Sequence, residues 1–478
     1  SRGLGDVYKR QGYLYNGNCN RIIFYVASNN PVIQSAFQEM LQSLLRVSFS
    51  NHNIVQINGK EVQIVFVKNQ FSGMLPCINR KTHEKEREEE LRKIFGDDKR
   101  NTLKLAAIDM LDFRLKKYSN LKDIDPKYFI RNKLAKMGVM TQFIDGSVVD
   151  GMEKETVYRN KDFLSRLKNT VEDLVFAGGF YSPLMYEDKK YFIHEMDCIV
   201  GFGRISDLNN GKIFGMTLIK DGAMFIRLYN DEERWFSIPE MCQRLDRELL
   251  KKVNFIGCKA SVLADGIKQW FLRTINELTC IHKKVVCFID CASRNQLKLA
   301  KNADFKKCME TELFIHKENL TLIRFNTTDE VPSAHTLDDK KPYNRISGVY
   351  QSEYRRNTFY LVHKRSDIKA PKASLTKLML PSKPLYLQTV AEIDIVTSQE
   401  TLFSYYAELT FDLMSMPLTA SPQTLTPLPL YLLKRLTEYI IAENGKDMTR
   451  QELEENEATQ ERRSYNKREF MGKIKRRF

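Results

Sequence analysis

The chain has 478 residues, with 75 Lys and Arg against 60 Asp and Glu for a formal net charge of +15, and it is 42% hydrophobic and 28% charged. At roughly 150 residues per domain this is enough chain for about three domains. The composition excludes a wholly disordered protein, and no run approaches the ~18 uninterrupted apolar residues that a membrane helix needs. Nine cysteines, an odd number without regular spacing, read as reduced thiols of a cytoplasmic protein. The excess of cations makes a polyanion, most simply nucleic acid, the leading class of partner.

In chain order, residues 1–11 (SRGLGDVYKRQ) lack the apolar stretch of a signal peptide. They read as a foreign leader resembling adapter read-through, so the native chain is expected to extend upstream. From Arg21 the run IIFYVAS predicts a strand, residues 31–45 an amphipathic helix, and residues 62–69 a second strand. Strand, helix, strand in this order favours a parallel βαβ unit. Residues 81–100, nearly all charged, read as a solvated helix or loop insertion, and residues 103–118 as helical.

The segment DIDPKYFIRNKLAKMGVMTQFIDG follows, residues 123–146. Asp125 suits a helix N-cap with Pro126 in the first turn, and Gly138 suits the left-handed position that ends the helix. Ile130, Leu134 and Met137 form the expected buried stripe, with residues 139–144 as a strand. Lys127 and Arg131, four apart, share a helical face. With Gln142 from the strand they make either a cup for a terminal phosphate or an ordinary solvated face.

The second block starts near Tyr191. CIVGFGRIS, KIFGMTLIK and AMFIRLYN, separated by turn signals, predict an antiparallel three-stranded meander. Helices are expected over residues 239–253 and 263–281, then the buried strand VVCFID ending in Asp290 and a turn into a polar helix. Three antiparallel strands, a helix and a strand ending in an acid is the RNase H order, which gathers carboxylates around one or two Mg²⁺ ions. LTLIRFN, GVYQSEYRRNTFYLVHKRSD and AEIDIVT read as strands, residues 402–414 as a helix, and residues 428–441 as a helix entered through Pro427 and Pro429. Cys280, His282, Cys287 and Cys291 lack zinc-knuckle spacing and read as core thiols. The glycines of GFG and AGGF have no nucleotide-loop context, and no hydrolytic triad is visible.

In their order, DPKYFIRNKLAKMGVMTQFI, VVCFIDCASRNQL and TPLPLYLLKRLTEYI resemble the prokaryotic PIWI-RE family. These are distant Argonaute relatives with a MID domain followed by an RNase H-type PIWI domain. The resemblance implies an α/β chain. Its expected parts are a leader (residues 1–11), a Rossmannoid MID-like domain (12–185) with a charged insertion at about 81–100, a PIWI/RNase H-like domain (186–445) and a charged tail (446–478). It implies a guide 5′-phosphate pocket at Lys127, Arg131 and Gln142, with Lys127 where a Tyr is usual. Phe176 stands where the family pocket has a further lysine, and Arg166 and Lys168 are the nearby substitutes. Arg294 and Arg356 are further candidates for nucleic-acid contact. Arg356 and Glu392 are also the candidates for the Arg and Glu after which the family is named.

The catalytic set is expected to be incomplete. Asp290 matches the strand-end Asp, but the first-strand Asp aligns with Gly203. Asp197 and Asp207 flank that strand as alternatives. The late ligand aligns with Lys434, leaving Glu438 one helical turn on. Mg²⁺ or Mn²⁺ is implied if the site is catalytic and no cofactor otherwise. The expected partners are guide and target nucleic acid, RNA or DNA, and helicase and nuclease proteins of the same system, with no membrane. Three functions stay open: a guide-dependent binding effector in prokaryotic defence, a metal-dependent endonuclease, and a scaffold that meets an acidic protein.

Overall fold

The computed structural model describes residues 19–45, 47–50, 52–57, 59–68, 80–96, 101–110, 127–149, 151–179, 196–206, 211–220, 223–255, 260–293, 297, 318–327, 331, 348–363, 389–414 and 426–444. The leader, the charged tail, the Asp125–Pro126 cap, Asp207 and Arg294 lie outside them, as does the expected boundary at 185/186.

The first sheet contains β1 (Arg21–Ala27), β2 (Ile54–Ile57), β3 (Lys60–Val67), β4 (Thr102–Asp109) and β5 (Val139–Ile144). Its order is β2-β3-β1-β4-β5, with β1 parallel to both β3 and β4, β4 parallel to β5, and β2 antiparallel to β3. One face is covered by α1 (Pro31–Leu45), which buries Ile33, Phe37, Leu41 and Leu44 on one stripe. The other face carries Leu91 and Phe95 from α2 (Arg80–Phe95), and Ile130 and Leu134 from α3 (Lys127–Lys136). Covered on both faces, β1 is apolar after Arg21 and β4 is mostly apolar, its buried Lys104 donating to the Phe95 carbonyl at 2.8 Å.

That double burial explains one departure from expectation. Residues 102–109 form a strand, not the start of a helix, because a continuous apolar run such as LKLAAI satisfies helical spacing and a fully buried strand equally. α3 ends as expected, with Gly138 at φ 73°. α4 (Lys154–Arg159) and α5 (Lys161–Ala177) follow, the latter capped by Asn160, whose side chain accepts from the Phe163 N–H.

The second sheet has nine strands in the order β12-β13-β14-β11-β10-β6-β7-β8-β9. β6 (Cys198–Ser206), β7 (Lys212–Lys220) and β8 (Ala223–Leu228) form the expected meander, extended by the two-residue β9 (Phe236–Ser237). β10 (Val285–Asp290) is parallel to β6 and to β11 (Leu320–Asn326), which completes an RNase H-type core. β14 (Thr389–Val396), β13 (Thr358–His363) and β12 (Gly348–Gln351) extend it with antiparallel pairing, β12 being the last strand on that side among the described residues.

The helix expected over 239–253 is two, α6 (Ile238–Arg244) and α7 (Arg247–Val253). Asp246 restarts it as an N-cap, accepting from the Leu249 N–H at 2.7 Å. α8 (Ala260–Ile281) covers one face of this sheet through Ile267, Phe271 and Ile275.

The opposite face receives α9 (Phe403–Met414) and α10 (Leu428–Asn444). Glycine lets α10 come close: a Cβ on Gly201 would stand 2.8 Å from the Pro429 backbone, and one on Gly215 2.9 Å from Leu433 Cδ1. The Thr217 hydroxyl donates to the Pro429 carbonyl at 2.7 Å, pinning the start of α10 on the sheet. No described helix is long and apolar enough to cross a membrane.

Candidate nucleic-acid site between the two sheets

In an open parallel sheet, ligands favour the crevice where strand order reverses, here between the C-terminal ends of β1 and β4. That crevice is filled. The Ser28 hydroxyl donates to Asp109 at 2.7 Å, the Gly146 N–H donates to the same carboxylate at 2.9 Å, and a Cβ on Gly146 would meet Ile33 at 2.3 Å. The basic residues instead converge where α3 and β5 meet α10.

Arg131 is the centre of that place, with its side chain 13% exposed. One guanidinium nitrogen lies 2.9 Å from a Glu438 carboxylate oxygen, and another donates to Gln142 Oε1 at a long 3.5 Å. The group lies over the Phe143 ring at 5.4 Å and the Tyr439 ring at 5.9 Å. Its Nε–H is buried without an acceptor among the described residues. Lys127, at the first position of α3, stands 6.0 Å from the centroid of Phe143. The structure therefore brings Arg131, Gln142 and Lys127 to one side of α3.

Sequence reasoning missed the other half of the cluster. Arg435 is 2.8 Å from Glu438 and 3.8 Å from Asp173 on α5. Burial pushes the Asp173 carboxyl up to about 6, Glu438 and Glu172 add to the rise, and the cations Arg435 and Arg131 oppose it. Glu172 is also raised by burial, against the pull of Lys168 at 3.7 Å. The Arg435–Glu438 spacing of three on a helix was a visible signal, whereas Asp173 had none.

Lys168 thus reaches the cluster through Glu172, while Arg166 is exposed on α5 and forms no ion pair among the described residues. Phe176 is buried against Tyr431, ring centroids 5.6 Å apart, and supplies no charge.

Asp290 ends β10 with its carboxylate accepting from the Ala292 N–H at 3.0 Å. Gly203 faces it: a Cβ there would lie 3.6 Å from Asp290 Cβ and 3.5 Å from Leu433 Cδ2. The two other expected carboxylates that are described, Asp197 and Glu438, are elsewhere. Asp197 precedes the N-terminal end of β6, roughly 20 Å along the strand from Gly203 at ~3.3 Å per residue. There it accepts from the Lys283 and Lys284 N–H groups at 2.6 and 3.1 Å, which makes it a turn cap. Glu438 is turned towards Arg131 and Arg435 on the far side of α10 from the sheet. Lys434 donates to the Thr426 hydroxyl at 2.9 Å.

Among the described residues no three His, Cys, Asp or Glu side chains converge to hold a metal ion. Among the described residues, Asp290 opposite Gly203 supplies one carboxylate, fewer than the ligand set that Mg²⁺ or Mn²⁺ needs in an RNase H-type site. Of the clustered cysteines, Cys287 and Cys291 are buried as expected, but Cys280 is exposed near the end of α8. Arg356 is exposed between β12 and β13 and does not meet Glu392, which pairs with Arg324 at 3.2 Å.

The model described as the MID domain of pPIWI_RE matches residues 42–182, and that described as the RNaseH domain of pPIWI_RE matches residues 214–442. No curated protein matches the chain. Similar solved structures include Clostridium butyricum Argonaute bound to a guide DNA and a 19-mer target DNA, at 11% identity and TM-score 0.44, covering 91% of this chain and 51% of that one. Kluyveromyces polysporus Argonaute with a guide RNA aligns at 12% identity and TM-score 0.42 over 88% and 46% of the two chains. Drosophila Piwi aligns at 12% and 0.42 over 91% and 50%. The chain spans about half the length of these structures.

Proposed function

The chain belongs to the pPIWI-RE family, and from that premise we propose that it is a guide-dependent nucleic-acid-binding effector of a prokaryotic defence system. Its MID-like part is residues 12–185 and its PIWI part residues 186–445. The cup of Lys127, Arg131 and Gln142 takes the 5′ phosphate of the guide. The guide–target duplex is gripped through its backbone, by shape and charge more than by base, as the +15 net charge favours. The target is an invading DNA or RNA met in the cytoplasm, and helicase and nuclease proteins of the same system act on it.

The observation that carries this reading is Arg131: a nearly buried guanidinium, already holding one oxyanion, with an Nε–H that has no acceptor among the described residues and an amide beside it. A phosphate oxygen is the acceptor such a fork accommodates. Target cutting by this chain is the weaker reading, because Gly203 stands where a second carboxylate would have to face Asp290.

The test mixes the protein with otherwise identical 5′-phosphorylated and 5′-hydroxyl guides and matched targets, with and without Mn²⁺. Binding that favours the phosphorylated end, is lost in Arg131→Ala and comes without cleavage is the expected result. Equal binding of both ends, unchanged by Arg131→Ala, would overturn the pocket. Mn²⁺-dependent cutting abolished by Asp290→Ala would overturn the non-cleaving assignment.

A further inference from the structure

The most exposed large hydrophobic side chain among the described residues is Tyr354, at 93%. It stands at the tip of the β12–β13 hairpin, in the sequence SEYRRN at residues 352–357, at the end of the second sheet as far as the described residues extend. An aromatic side chain on a loose loop would be unremarkable, but this tip is fastened.

The Ser352 N–H donates to the Thr358 carbonyl at 2.9 Å, the Thr358 N–H to Arg355 at 3.2 Å and the Tyr354 N–H to the Ser352 hydroxyl at 3.3 Å. The Gln351 amide donates to the Arg356 carbonyl at 2.7 Å. Asn357 clamps the tip to β14, its side chain donating to the Ile395 carbonyl at 3.1 Å while its own carbonyl accepts from the Ile395 N–H at 2.9 Å. A phenol ring held in water on so rigid a mount loses little further freedom when something packs on it.

Its surroundings select the occupant. Arg355 and Arg356 follow directly and are exposed, Arg356 without an ion pair among the described residues, and Glu353 is the only acid of the tip. Tyr350, 41% exposed, adds a second ring on the edge strand, directly opposite Tyr360. Rings that offer a flat face beside guanidinium groups match bases flanked by phosphates. An acidic protein surface would use the cations but not the ring face.

We propose that this hairpin tip is a platform for single-stranded nucleic acid, with Tyr354 stacking on an unpaired base and Arg355 and Arg356 holding the adjoining phosphates. The proposal rests on the nucleic-acid-binding reading above and adds a contact on the sheet edge, away from the Arg131 cup. Because every base has a ring face, the platform is indifferent to sequence.

The experiment measures binding of the full chain to a fluorescent 20-nucleotide oligothymidine with a 5′ hydroxyl, by anisotropy across a salt series. Tyr354→Ala is expected to weaken binding about 5- to 100-fold, while Tyr354→Phe, which keeps the ring, stays near wild type. Arg356→Ala is expected to lower the slope of log K against log salt by about 0.7. Stacking is read separately by 2-aminopurine in the strand, quenched by wild type and Tyr354→Phe but not by Tyr354→Ala. The exposed position of Tyr354 lets unchanged thermal unfolding verify the fold of each variant.

Wild-type binding by both Tyr354→Ala and Arg356→Ala would overturn the platform. If Arg131→Ala still abolishes the preference for phosphorylated guides in that case, the pocket survives and only the platform falls. Loss of the platform effect together with equal binding of both guide ends would overturn both.

Discussion

On the proposed reading, a terminal phosphate entering the Arg131 cup meets the charge of Glu438, which already lies 2.9 Å from Arg131. A second oxyanion on the same guanidinium fork would lie about 5 Å from that carboxylate, and at an effective dielectric of about 20 to 40 the pair repel by about 1.5–3 kcal/mol per unit charge. Glu438 is 34% exposed, which favours the lower figure. Glu438→Gln is therefore expected to tighten binding of a 5′-phosphorylated guide about tenfold, leaving the 5′-hydroxyl guide within about twofold. Gln is the informative replacement because it keeps the shape and removes the charge: its single amide oxygen can accept from one of the two arginines, while its NH2, a donor, gives up the contact with the other. Competition anisotropy with the two guides measures it, and combining Glu438→Gln with Arg131→Ala should erase the gain. A variant that binds the phosphorylated guide no more tightly, or gains equally for both guides, would refute the assignment of Glu438 as a charge competing for Arg131.

Three other outcomes follow from the same geometry. The Asp173 carboxyl is held at about 6, above its unfolded value of 3.8, so its proton is kept longer in the fold. Its contribution to stability is complete below about pH 4 and is lost as pH rises through about 6. Asp173→Asn should unfold like wild type near pH 4 but be about 3 kcal/mol more stable at pH 7, checked by denaturant unfolding at both pH values. Gly201→Ala, whose Cβ would press on the Pro429 backbone at 2.8 Å, should cost about 1–3 kcal/mol, whereas Gly203→Ala, with its nearest neighbour at 3.5 Å, should be near neutral in the same assay. Gly203→Asp places a second carboxylate beside Asp290, so millimolar Mn²⁺ should raise its unfolding temperature and leave wild type unmoved; equal shifts would show that the glycine is not the missing ligand position.

Most elements were legible because their apolar runs had one interpretation. RIIFYVA, CIVGFGRIS and VVCFID are short, rich in β-branched and aromatic residues and bounded by polar segments, which decides for strands, and the glycine after α3 marks its end. Where a run had two interpretations the sequence misled, as at residues 102–109. Residues 239–253 misled differently, since an Asp in mid-pattern is compatible with an exposed helical position and with a cap that restarts the helix.

The candidate site divides along the same physical line. Arg131 and Gln142 were readable together because one helix, one glycine turn and one strand fix their relation within eleven residues. Gly203 was readable only through the family resemblance, which aligns it with the first-strand Asp; the structure sets it opposite Asp290. Glu438 and Asp173 were not readable in their roles, because each acquires its partner only when α10 docks between the two sheets. Helical spacing leaves Glu438 one turn from Lys434 and so apparently within reach of Asp290. The glycines of β6 and β7 and the Thr217 bond to Pro429 determine which side of α10 faces the sheet. Leu433 then takes the sheet side and Glu438 the cation side. The same packing that turns Glu438 away from Asp290 delivers it to Arg131, so both placements have a common cause in the seating of one helix.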